Sequence, residues 1–450
     1  MTLIHAKTAL LPEGWARDVT VALDGGRIAS VVSGSAAGGI VVDCLLPAPV
    51  NLHSHAFQRA MAGLTETRTA GQDSFWTWRS LMYRFLERLT PEDVEAIAAF
   101  VQMEMAEAGY AAVAEFHYLH HAPGGVAYAN RAEMSERIAI AAAESGLGLT
   151  LLPVLYHQGG CDGRALAGGQ LRFGNDRDGY ADLWNGAAKA LAHLPRDTRL
   201  GVAPHSLRAV SRGSLDWVAG IAPQAPIHLH LAEQVAEVEE VKAAYGARPV
   251  EWLLANTDVD PRWCLIHATQ MEPHETTGLA ATGAVAGLCP ITEANLGDGI
   301  FDGVRFTQAG GRWGVGSDSN VDITLSGELR LFEYSQRLRD RGRAVLAVPE
   351  RSTGRVLWEG AAQGGAQAAG REAGEIREGL WADLVALDLS APDLAGREGD
   401  TILDAFIFGK GAVAELWSAG RHLVSGGRHH RRDAIASAYA HAMANLREAL

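Results

Sequence analysis

From about residue 45 onward, short runs of hydrophobic residues alternate with longer segments that mix hydrophobic and polar residues. The short runs are continuously apolar, which is typical of strands buried on both faces, whereas the longer segments repeat apolar positions at helical spacing. The predicted strands are Leu45–Val50, Ala112–Tyr118, Leu149–Tyr156, Leu200–Ala203, Ile227–Leu231, Cys264–His267, Ala284–Leu288 and Trp313–Gly316. Eight buried strands separated by helices indicate an α/β protein with a parallel (β/α)8 TIM-like barrel.

The clearest predicted helix begins at Thr90-Pro91, where a capping residue and an early proline precede two acids, and it ends near Ala108. The other predicted helices are Arg131–Ser145, Tyr180–His193, Ser214–Ile221, Ala236–Tyr245, Pro273–Ala281, Ile323–Arg341 and a terminal helix over Arg432–Leu450. The barrel segment is longer than the roughly 250 residues typical of this fold, so we expect insertions at 66–80 and 157–179.

Both ends of the chain show the turn-rich pattern of short antiparallel strands. The hairpin and strand signals are Val19–Leu23 with Arg27–Val32, Gly379–Asp388, and Ala412–Ser418 with Arg421–Ser425. Because chain ends commonly meet at the protein surface, we predict a small β-sandwich built from the N- and C-terminal segments. The expected division is sandwich over 1–44, barrel over 45–372, and sandwich with a terminal helix over 373–450.

The composition restricts the partners of this chain. Of its 450 residues, 48% are apolar and 20% are charged, which is ordinary for a globular protein, and the net charge is −14. This negative charge disfavours nucleic acid and anionic membrane surfaces as partners. We recognise no export signal, no apolar run of the roughly 18 residues that span a membrane, and no paired cysteine motif. We therefore expect a cytoplasmic protein.

Histidines cluster at the ends of the predicted strands, where barrel enzymes have their active sites. His53 and His55 follow strand one with i, i+2 spacing, so both imidazoles face the same side. His230 ends strand five, and Asp318 follows strand eight. One such histidine is more often a core residue, but burying several together is costly without a shared partner. We predict that these four residues bind a divalent metal, with zinc favoured and iron or manganese left open.

Two further groups are suited to acid–base chemistry beside such a metal. Glu233 lies three residues after His230, where a carboxylate can carry a proton from a metal-activated water to a leaving group. The alternative is a surface glutamate in the first turn of the next helix. His267 ends strand six and is expected to polarise the substrate or the attacking water, the alternative being a structural histidine.

These residues together resemble the amidohydrolase superfamily over essentially the whole chain. Many members carry a carbamylated lysine on strand four that bridges two metals. The segment Leu200–His205 contains no lysine, so the resemblance implies the branch with one zinc. The continuation Phe57-Gln58-Arg59 and the segment Ser74–Arg79 are similar to those of the formimidoylglutamate deiminases of histidine degradation.

That resemblance implies an enzyme that hydrolyses N-formimino-L-glutamate to N-formyl-L-glutamate and ammonia. Zinc-bound hydroxide is expected to attack the electrophilic formimino carbon after Asp318 helps to take a proton from the water. Glu233 is expected to protonate the imino nitrogen and then the departing amine, and His267 to stabilise the tetrahedral intermediate.

The expected substrate is a small dianion although the protein is acidic, so local cations must line the site. Arg208, three residues after His205, is the leading candidate for a bidentate clamp, the alternative being a surface arginine. The family pattern implies that Gln58, Tyr118, His205 and Arg208 contact the substrate. Arg79 is expected to reach the site of its own chain or of a neighbouring subunit, because the resemblance also implies a homodimer.

The sequence leaves two other functions open. A deaminase of a cyclic amidine such as guanine needs aromatic walls and amide contacts, and Arg208 and Arg79 argue against it. A catalytically inactive scaffold would have lost its metal ligands, whereas the predicted ligands and Glu233 are all present.

Overall fold

The computed structural model describes residues 1–64, 66 and 75–449, apart from the side chains of 75–77, 80, 448 and 449. Much of the insertion predicted at 66–80, including Ser74, lies outside the described residues. The strands are β1 (Thr2–Leu11), β2 (Gly14–Asp24), β3 (Arg27–Val32), β4 (Ile40–Pro47), β5 (Val50–Ser54), β6 (Ala112–His117), β7 (Gly148–Leu155), β8 (Arg199–Leu200), β9 (Ala203–Pro204), β10 (Ile227–Leu231), β11 (Trp263–His267), β12 (Val285–Leu288), β13 (Arg312–Val315), β14 (Leu384–Leu387), β15 (Val413–Ser418), β16 (Arg421–Ser425) and β17 (Arg428–His429).

The helices are α1 (Phe75–Leu86), α2 (Pro91–Ala108), α3 (Glu133–Ser145), α4 (Arg177–Leu191), α5 (Arg212–Ile221), α6 (Val235–Tyr245), α7 (Pro249–Asn256), α8 (Pro273–Ala281), α9 (Pro290–Leu296), α10 (Gly303–Gln308), α11 (Leu325–Asp340), α12 (Thr353–Ala368), α13 (Asp400–Phe408) and α14 (Arg432–Ala449). Short 3-10 helices lie at Ala56–Met61, Pro123–Gly125 and Gly168–Arg172. Among the described residues, no helix combines the length and the apolar composition that crossing a membrane requires.

Parallel strands form a closed ring. Strands β5, β6, β7 and β8 make one parallel run, in which β9 also pairs with β7, and β10 to β13 make a second run. Single bridges join the two runs at Val202–Ile227, Ser206–His230 and Ser54–Asp318. The ring confirms the predicted (β/α)8 barrel, whose fourth strand consists of two short pieces, β8 and β9.

The bounds of the first predicted strand, Leu45–Val50, are wrong because one apolar stretch passes through two sheets. Strand β4 ends at Pro47 and pairs with β1 and β14, outside the barrel. The barrel begins with β5 at Val50. Residues 45–54 are all buried, so hydrophobicity alone does not separate the two strands. The expected division of the chain at residues 44 and 372 stays a prediction.

The two chain ends together form an eight-stranded sheet in the order β17-β16-β15-β14-β4-β1-β2-β3. Both predicted hairpins are confirmed as β2 with β3 and β15 with β16. Side chains from both ends of the chain, among them Ile4, Val21, Leu384 and Trp417, share a hydrophobic core that is separate from the barrel core. The predicted β-sandwich is therefore confirmed as a unit built from both termini, and its strands form one continuous eight-stranded sheet.

The long predicted helices match observed helices to within a few residues, and α2 begins with the predicted cap. The Thr90 side chain accepts a hydrogen bond from the backbone of Asp93, whose own side chain accepts one from the backbone of Thr90. The prediction misses α7, α9, α10 and α13, which are too short to repeat a hydrophobic period more than twice.

Helix α12 also escapes the prediction, because its alanine- and glycine-rich sequence shows no clear hydrophobic stripe. This helix packs directly on the first residues of β5 and β13. A Cβ atom at Gly364 would lie 1.8 Å from the carbonyl oxygen of Trp313, and one at Gly365 would lie 2.8 Å from that of Val50. Only glycine permits so close an approach of the two backbones. The small residues therefore let α12 cover the end of the barrel opposite the strand-end histidines.

A buried ionic network joins the barrel to the terminal sheet. Asp197, in the connection before β8, accepts hydrogen bonds from Arg371 at 2.9 Å and from Arg421 at 2.7 and 2.8 Å. Arg371 also donates to the carboxylate of Asp383 at 2.5 and 2.9 Å. Burial opposes ionisation of Asp197, but the two guanidinium groups lower the pKa of its carboxyl to about 2. The carboxylate is therefore charged in the folded protein at neutral pH.

Replacing Asp197 with asparagine is expected to lower the free energy of unfolding at neutral pH by about 3 kcal/mol, because the buried Arg371 and the partly exposed Arg421 lose a charged partner. The pKa of Asp197 is lower in the folded than in the unfolded chain. The stabilisation is therefore complete above the unfolded pKa and is lost as the pH falls through about 2. Denaturant unfolding measured from neutral pH down to about pH 3 should show the difference shrinking below about pH 4.

The control is Asp433→Asn, which removes a carboxylate that is 92% exposed and paired with Arg428 at the surface. This variant should unfold like the wild type at every pH. A difference between Asp197→Asn and wild type that does not change with pH would contradict the role of the Asp197 charge.

Candidate active site

The ends of β5, β10 and β13 bring three imidazoles and one carboxylate together. The Nε2 atom of His53 lies 3.1 Å from Nε2 of His230. The Oδ1 atom of Asp318 lies 3.6 Å from Nε2 of His53 and 3.2 Å from Nε2 of His55. All four side chains are buried. The structure thus gathers the four predicted metal ligands, which are distant in sequence, around one point.

Backbone carbonyl groups determine which nitrogen carries the proton in two of these rings. Nδ1 of His55 donates to the carbonyl oxygen of Phe116 at 2.9 Å, and Nδ1 of His230 donates to that of His205 at 3.1 Å. A carbonyl oxygen only accepts, so Nε2 of each neutral ring keeps a free lone pair. Burial lowers the pKa of His55 to about 3 and that of His230 well below the ordinary histidine value.

This donor set fits a divalent metal. The ligand atoms of His53, His55 and His230 all lie within 4.8 Å of one another. Burial also lowers the pKa of His53 well below its ordinary value, so all three rings are neutral, as metal ligands must be. Unprotonated nitrogens this close to one another repel unless a cation lies between them, and imidazole with carboxylate is a donor combination that zinc accepts.

A second compact group consists of His267, Cys289 and Asp318. Burial raises the pKa of the Cys289 thiol well above its ordinary value. A thiol binds a metal as the thiolate, so Cys289 is a poor ligand in this environment. The three histidines with Asp318 are therefore the better metal site.

Hydrogen bonds between β5 and the segment after β13 hold the ligands in register. The backbone N–H of His55 donates to the carbonyl oxygen of Asp318, and that of Asp318 donates to the carbonyl oxygen of His53, both at 2.9 Å. The amide of Asn320 donates to the carbonyl oxygens of His55 and Asp318, at 3.1 Å each. Asp318 and Asn320 have φ angles of 49° and 57°, in the left-handed region that is costly for residues other than glycine. Strain of this kind is typical of functional sites.

Glu233 and His267 lie beside the ligand cluster. Nε2 of His267 lies 3.9 Å from Oε1 of Glu233 and 3.8 Å from Oδ2 of Asp318, and its Nδ1 lies 3.3 Å from Oε1 of Glu293. Burial alone disfavours the imidazolium, but the three carboxylates raise the pKa of His267 to about 10. Burial raises the pKa of Asp318 to about 7. The arrangement therefore places a cationic ring beside the Asp318 carboxyl, whose pKa lies near neutrality.

A cavity opens beside these groups, and Glu233, His267 and Asp318 line it. All the residues expected to contact a substrate also line it: Gln58, Arg79, Tyr118, His205 and Arg208. His55 and His230 of the ligand cluster line it too, and the other lining residues were not predicted: Trp78, Met82, Tyr83, Tyr156, Phe173, Thr292, Leu296 and Ser319. The structure thus brings the expected contact residues and the ligand cluster to one cavity.

Two guanidinium groups face this cavity. Nη2 of Arg208 lies 3.9 Å from a carboxylate oxygen of Glu233. Arg79, on α1, donates to the hydroxyl of Tyr83 at 2.6 Å and to that of Tyr156 at 2.8 Å. Arg79 therefore reaches the cavity of its own chain. These cations give an acidic protein a local site at which an anion can bind.

The residues that the prediction missed differ in how well the sequence marks them. Tyr156 ends predicted strand three, so the strand-end rule that selected the histidines also applies to it. Tyr83 lies on α1, which the hydrophobic pattern does not reveal. Glu293 lies in the first turn of α9 and carries no motif that distinguishes it from a surface glutamate. Its contact with His267, 26 residues away in sequence, arises only in the folded chain.

Comparison with known proteins is consistent with this geometry. The sequence pattern of the Amidohydrolase family matches residues 44–423. The chain belongs to the amidohydrolase family. The pattern described as formimidoylglutamate deiminase HutF, N-terminal domain, matches residues 1–40 of this amidohydrolase.

Several relatives of this amidohydrolase match over nearly their full length. Formimidoylglutamate deiminase of Pseudomonas aeruginosa is 46% identical over 453 residues, which cover 99% of this chain and 100% of the relative. A crystal structure of an amidohydrolase from Brucella melitensis is 49% identical, with a TM-score of 0.96 and coverage of 99% and 100%. An adenosine deaminase from Xanthomonas campestris with bound zinc is 22% identical, with a TM-score of 0.82 and coverage of 99% and 98%, and it shares the fold.

Replacing His230 with glutamine is expected to lower the metal affinity of this amidohydrolase by at least about tenfold, because the cluster loses a neutral imidazole donor. The measurement is the metal content of purified wild type and variant after dialysis against a weak chelator. His228→Gln is the control, since Nε2 of His228 contacts the carbonyl oxygen of Ala368 at 2.8 Å instead of the cluster. Equal metal content in the wild type and His230→Gln would contradict the assignment of this ligand.

Proposed function

We propose that the chain hydrolyses N-formimino-L-glutamate to N-formyl-L-glutamate and ammonia. The observation that carries this proposal is the presence of Arg79 and Arg208 in the cavity that Glu233 and Asp318 also line. A substrate with two carboxylates and a hydrolysable C=N carbon uses both sets of groups. The relative from Pseudomonas aeruginosa supports the same reaction by its name and by its similarity over nearly the whole chain.

The contacts around the cavity support binding of the dianion. Arg79 and Arg208 provide charge-assisted hydrogen bonds to the two carboxylates, which are stronger than hydrogen bonds between neutral groups. Nε2 of Gln58 donates to the hydroxyl of Tyr118 at 2.6 Å. Among the described residues, the buried Oε1 atom of Gln58 has no hydrogen-bond partner, so it can accept from an N–H of the formimino group. His205 forms a neutral wall, because burial and the charge of Arg208 lower its pKa.

The ligand cluster of His53, His55, His230 and Asp318 holds one divalent metal, with zinc as the ion that this donor set favours. When bound, the metal acidifies a water molecule and polarises the reacting carbon. Asp318 helps to take a proton from the attacking water. Glu233 delivers one proton to the imino nitrogen and then a second to the departing amine.

These proton transfers balance the reaction. A C–O bond forms at the formimino carbon, and the C–N bond to its terminal nitrogen breaks. Both protons that Glu233 delivers come from the water: the first leaves it on attack, and the second leaves the hydroxyl of the tetrahedral intermediate as the C=O bond forms. The terminal nitrogen, which already carries one hydrogen, leaves with both as ammonia, and the remaining N–C=O group is the formyl amide. His267, which faces both Glu233 and Asp318, stabilises the tetrahedral intermediate.

The cellular setting belongs to the same proposal: a homodimer in the cytoplasm, in the pathway that degrades histidine. The cysteines Cys44, Cys161, Cys264 and Cys289 are free and buried, which is consistent with a reducing compartment. Dimerisation rests on the resemblance to formimidoylglutamate deiminases. Because Arg79 lines the cavity of its own chain, a partner subunit is not needed to supply this arginine.

The zinc-loaded protein is expected to release ammonia rapidly from N-formimino-L-glutamate and far more slowly from N-formimino-glycine and guanine. The reason is that only the glutamate derivative presents a carboxylate to each arginine. A coupled assay for ammonia measures all three rates on one preparation. Faster release from guanine would replace the proposed substrate, and no release by zinc-loaded protein from any of them would support an inactive scaffold.

Replacing Arg208 with alanine is expected to raise KM for N-formimino-L-glutamate by about a hundredfold with a smaller change in kcat, because a charge-assisted contact to the bound substrate is lost. Steady-state kinetics of the variant measure both constants. Arg212→Ala, at an exposed position in the next helix, is the control and should leave both unchanged. An unchanged KM in Arg208→Ala would exclude Arg208 as the carboxylate clamp.

A further inference from the structure

A carboxylate that the reaction does not use lies directly behind Glu233. Glu237 belongs to the first turn of α6, and its side chain is fully buried. Its Oε1 accepts a hydrogen bond from the backbone N–H of Ala232 at 3.3 Å, and its Oε2 accepts one from that of Glu233 at 3.0 Å. Both oxygens thus bind the short turn that carries Glu233 from the end of β10 into the cavity.

This turn needs support because its backbone is strained. Ala232 has a φ angle of 52°, in the left-handed region that is costly for alanine. On the opposite side of the turn, the hydroxyl of Thr269 donates to the carbonyl oxygen of Glu233 at 2.7 Å, and the backbone N–H of Gln270 donates to that of Ala232 at 2.9 Å. The N–H groups bind Glu237 and the carbonyl groups bind the segment after β11, so the turn is held from both sides.

Glu237 also contacts the cationic side of the cavity. Nη2 of Arg208 lies 3.9 Å from Oε2 of Glu237 and 3.9 Å from Oε2 of Glu233. The Arg208 guanidinium therefore lies near two carboxylates, of which Glu233 lines the cavity and Glu237 does not. Burial raises the pKa of the Glu237 carboxyl, and the charge of Arg208 opposes that rise, so the two side chains interact favourably.

We propose that Glu237 is a positioning residue for Glu233, holding the Ala232–Glu233 turn so that the Glu233 carboxylate faces the reacting nitrogen. The inference rests on the proposed deimination. Misplacing a proton-carrying group by about 1 Å can lower the rate by about a hundredfold. Glu237 therefore acts on kcat through Glu233, whereas Arg208 acts on KM.

A structural explanation competes with this one, because an acidic residue in the first turn stabilises a helix through its dipole. The chain offers a matched comparison in Glu275, which lies in the first turn of α8 and is also buried. Glu275 accepts hydrogen bonds from the backbone N–H of Glu272 at 2.7 Å and from Arg248 at 2.8 Å. It does not line the cavity, so it shares the first-turn position and the burial of Glu237 without access to the reaction.

The experiment compares Glu237→Gln with Glu275→Gln and with Glu239→Gln, an exposed position on the same helix. An amide has a single acceptor oxygen, so glutamine leaves one of the two N–H groups of the turn without an acceptor. We expect kcat of Glu237→Gln for N-formimino-L-glutamate to fall about tenfold to a hundredfold, with KM within about threefold of wild type. Both control variants should keep kcat within about twofold of wild type.

Binding of the product distinguishes an effect of Glu237 on Glu233 from an effect of Glu237 on Arg208. Calorimetric titration with N-formyl-L-glutamate measures binding that depends on the arginine side chains and requires no proton transfer. Its Kd should stay within about threefold of wild type in Glu237→Gln and weaken about a hundredfold in Arg208→Ala. Weakening of product binding in Glu237→Gln to the level of Arg208→Ala would overturn the inference, because Glu237 would then act through the clamp. An unchanged kcat in Glu237→Gln would also overturn it.

Thr269→Val gives a second variant if Glu237→Gln does not fold. It removes the hydroxyl that holds the carbonyl oxygen of Glu233 and nearly preserves the volume of the side chain. The same signature is expected, a lower kcat with unchanged product binding, and its absence would contradict a turn held from both sides. A wild type that neither hydrolyses the substrate nor binds the product would instead reject the proposed function, which distinguishes the two failures.

Discussion

The pairing of β5 with the segment after β13 is the constraint on which the candidate site depends. It closes the barrel, and it also carries three of the four predicted metal ligands. The reciprocal hydrogen bonds of His53, His55 and Asp318 fix the two strand ends at one register, at 2.9 Å each. A slip by one residue would turn the His53 and His55 side chains to the other face of the strand. The hydrogen bonds that close the barrel are therefore also the ones that bring the ligand cluster together.

The opposite end of the barrel contributes to this closure through close packing. The Gly364 and Gly365 backbone of α12 approaches the first residues of β5 and β13, where any larger side chain would clash. The same two strands are thus held together at one end by helix packing and at the other by backbone hydrogen bonds. Asn320 adds an amide that donates across the closure, so the strained left-handed turn after β13 is held where Asp318 is needed.

Electrostatics at the site oppose the net charge of the protein. The chain carries a net charge of −14, yet its cavity contains neutral imidazoles, a cationic His267 and two arginines. The bulk charge repels a dianion at long range, while the buried cations attract it at close range, where the dielectric is low and screening is weak. Affinity for an anionic ligand is therefore a local property that the overall charge does not report.

Much of the architecture follows from hydrophobic periodicity. Continuous apolar runs identified the barrel strands, and capping residues located α2, because both signals are local and repeat along the chain. Periodicity failed where one apolar stretch served two sheets, as at Leu45–Ser54, and where small residues formed a packed helix, as in α12. In both cases the neighbour that buries the residues is distant in sequence, so nothing local distinguishes the alternatives.

The sequence by itself determined which side chains could form the site, because strand ends of a parallel barrel converge and the residues there can be read directly: His53, His55, His230, Glu233, His267 and Asp318. Only the tertiary structure decided how these groups are held and tuned. Packing brings Glu293 to His267 and gives His55 and His230 their carbonyl partners. It also places Arg79 in the cavity of its own chain and Glu237 behind Glu233. Distances and pKa values arise from burial and from neighbours in space, and no local pattern encodes either of them.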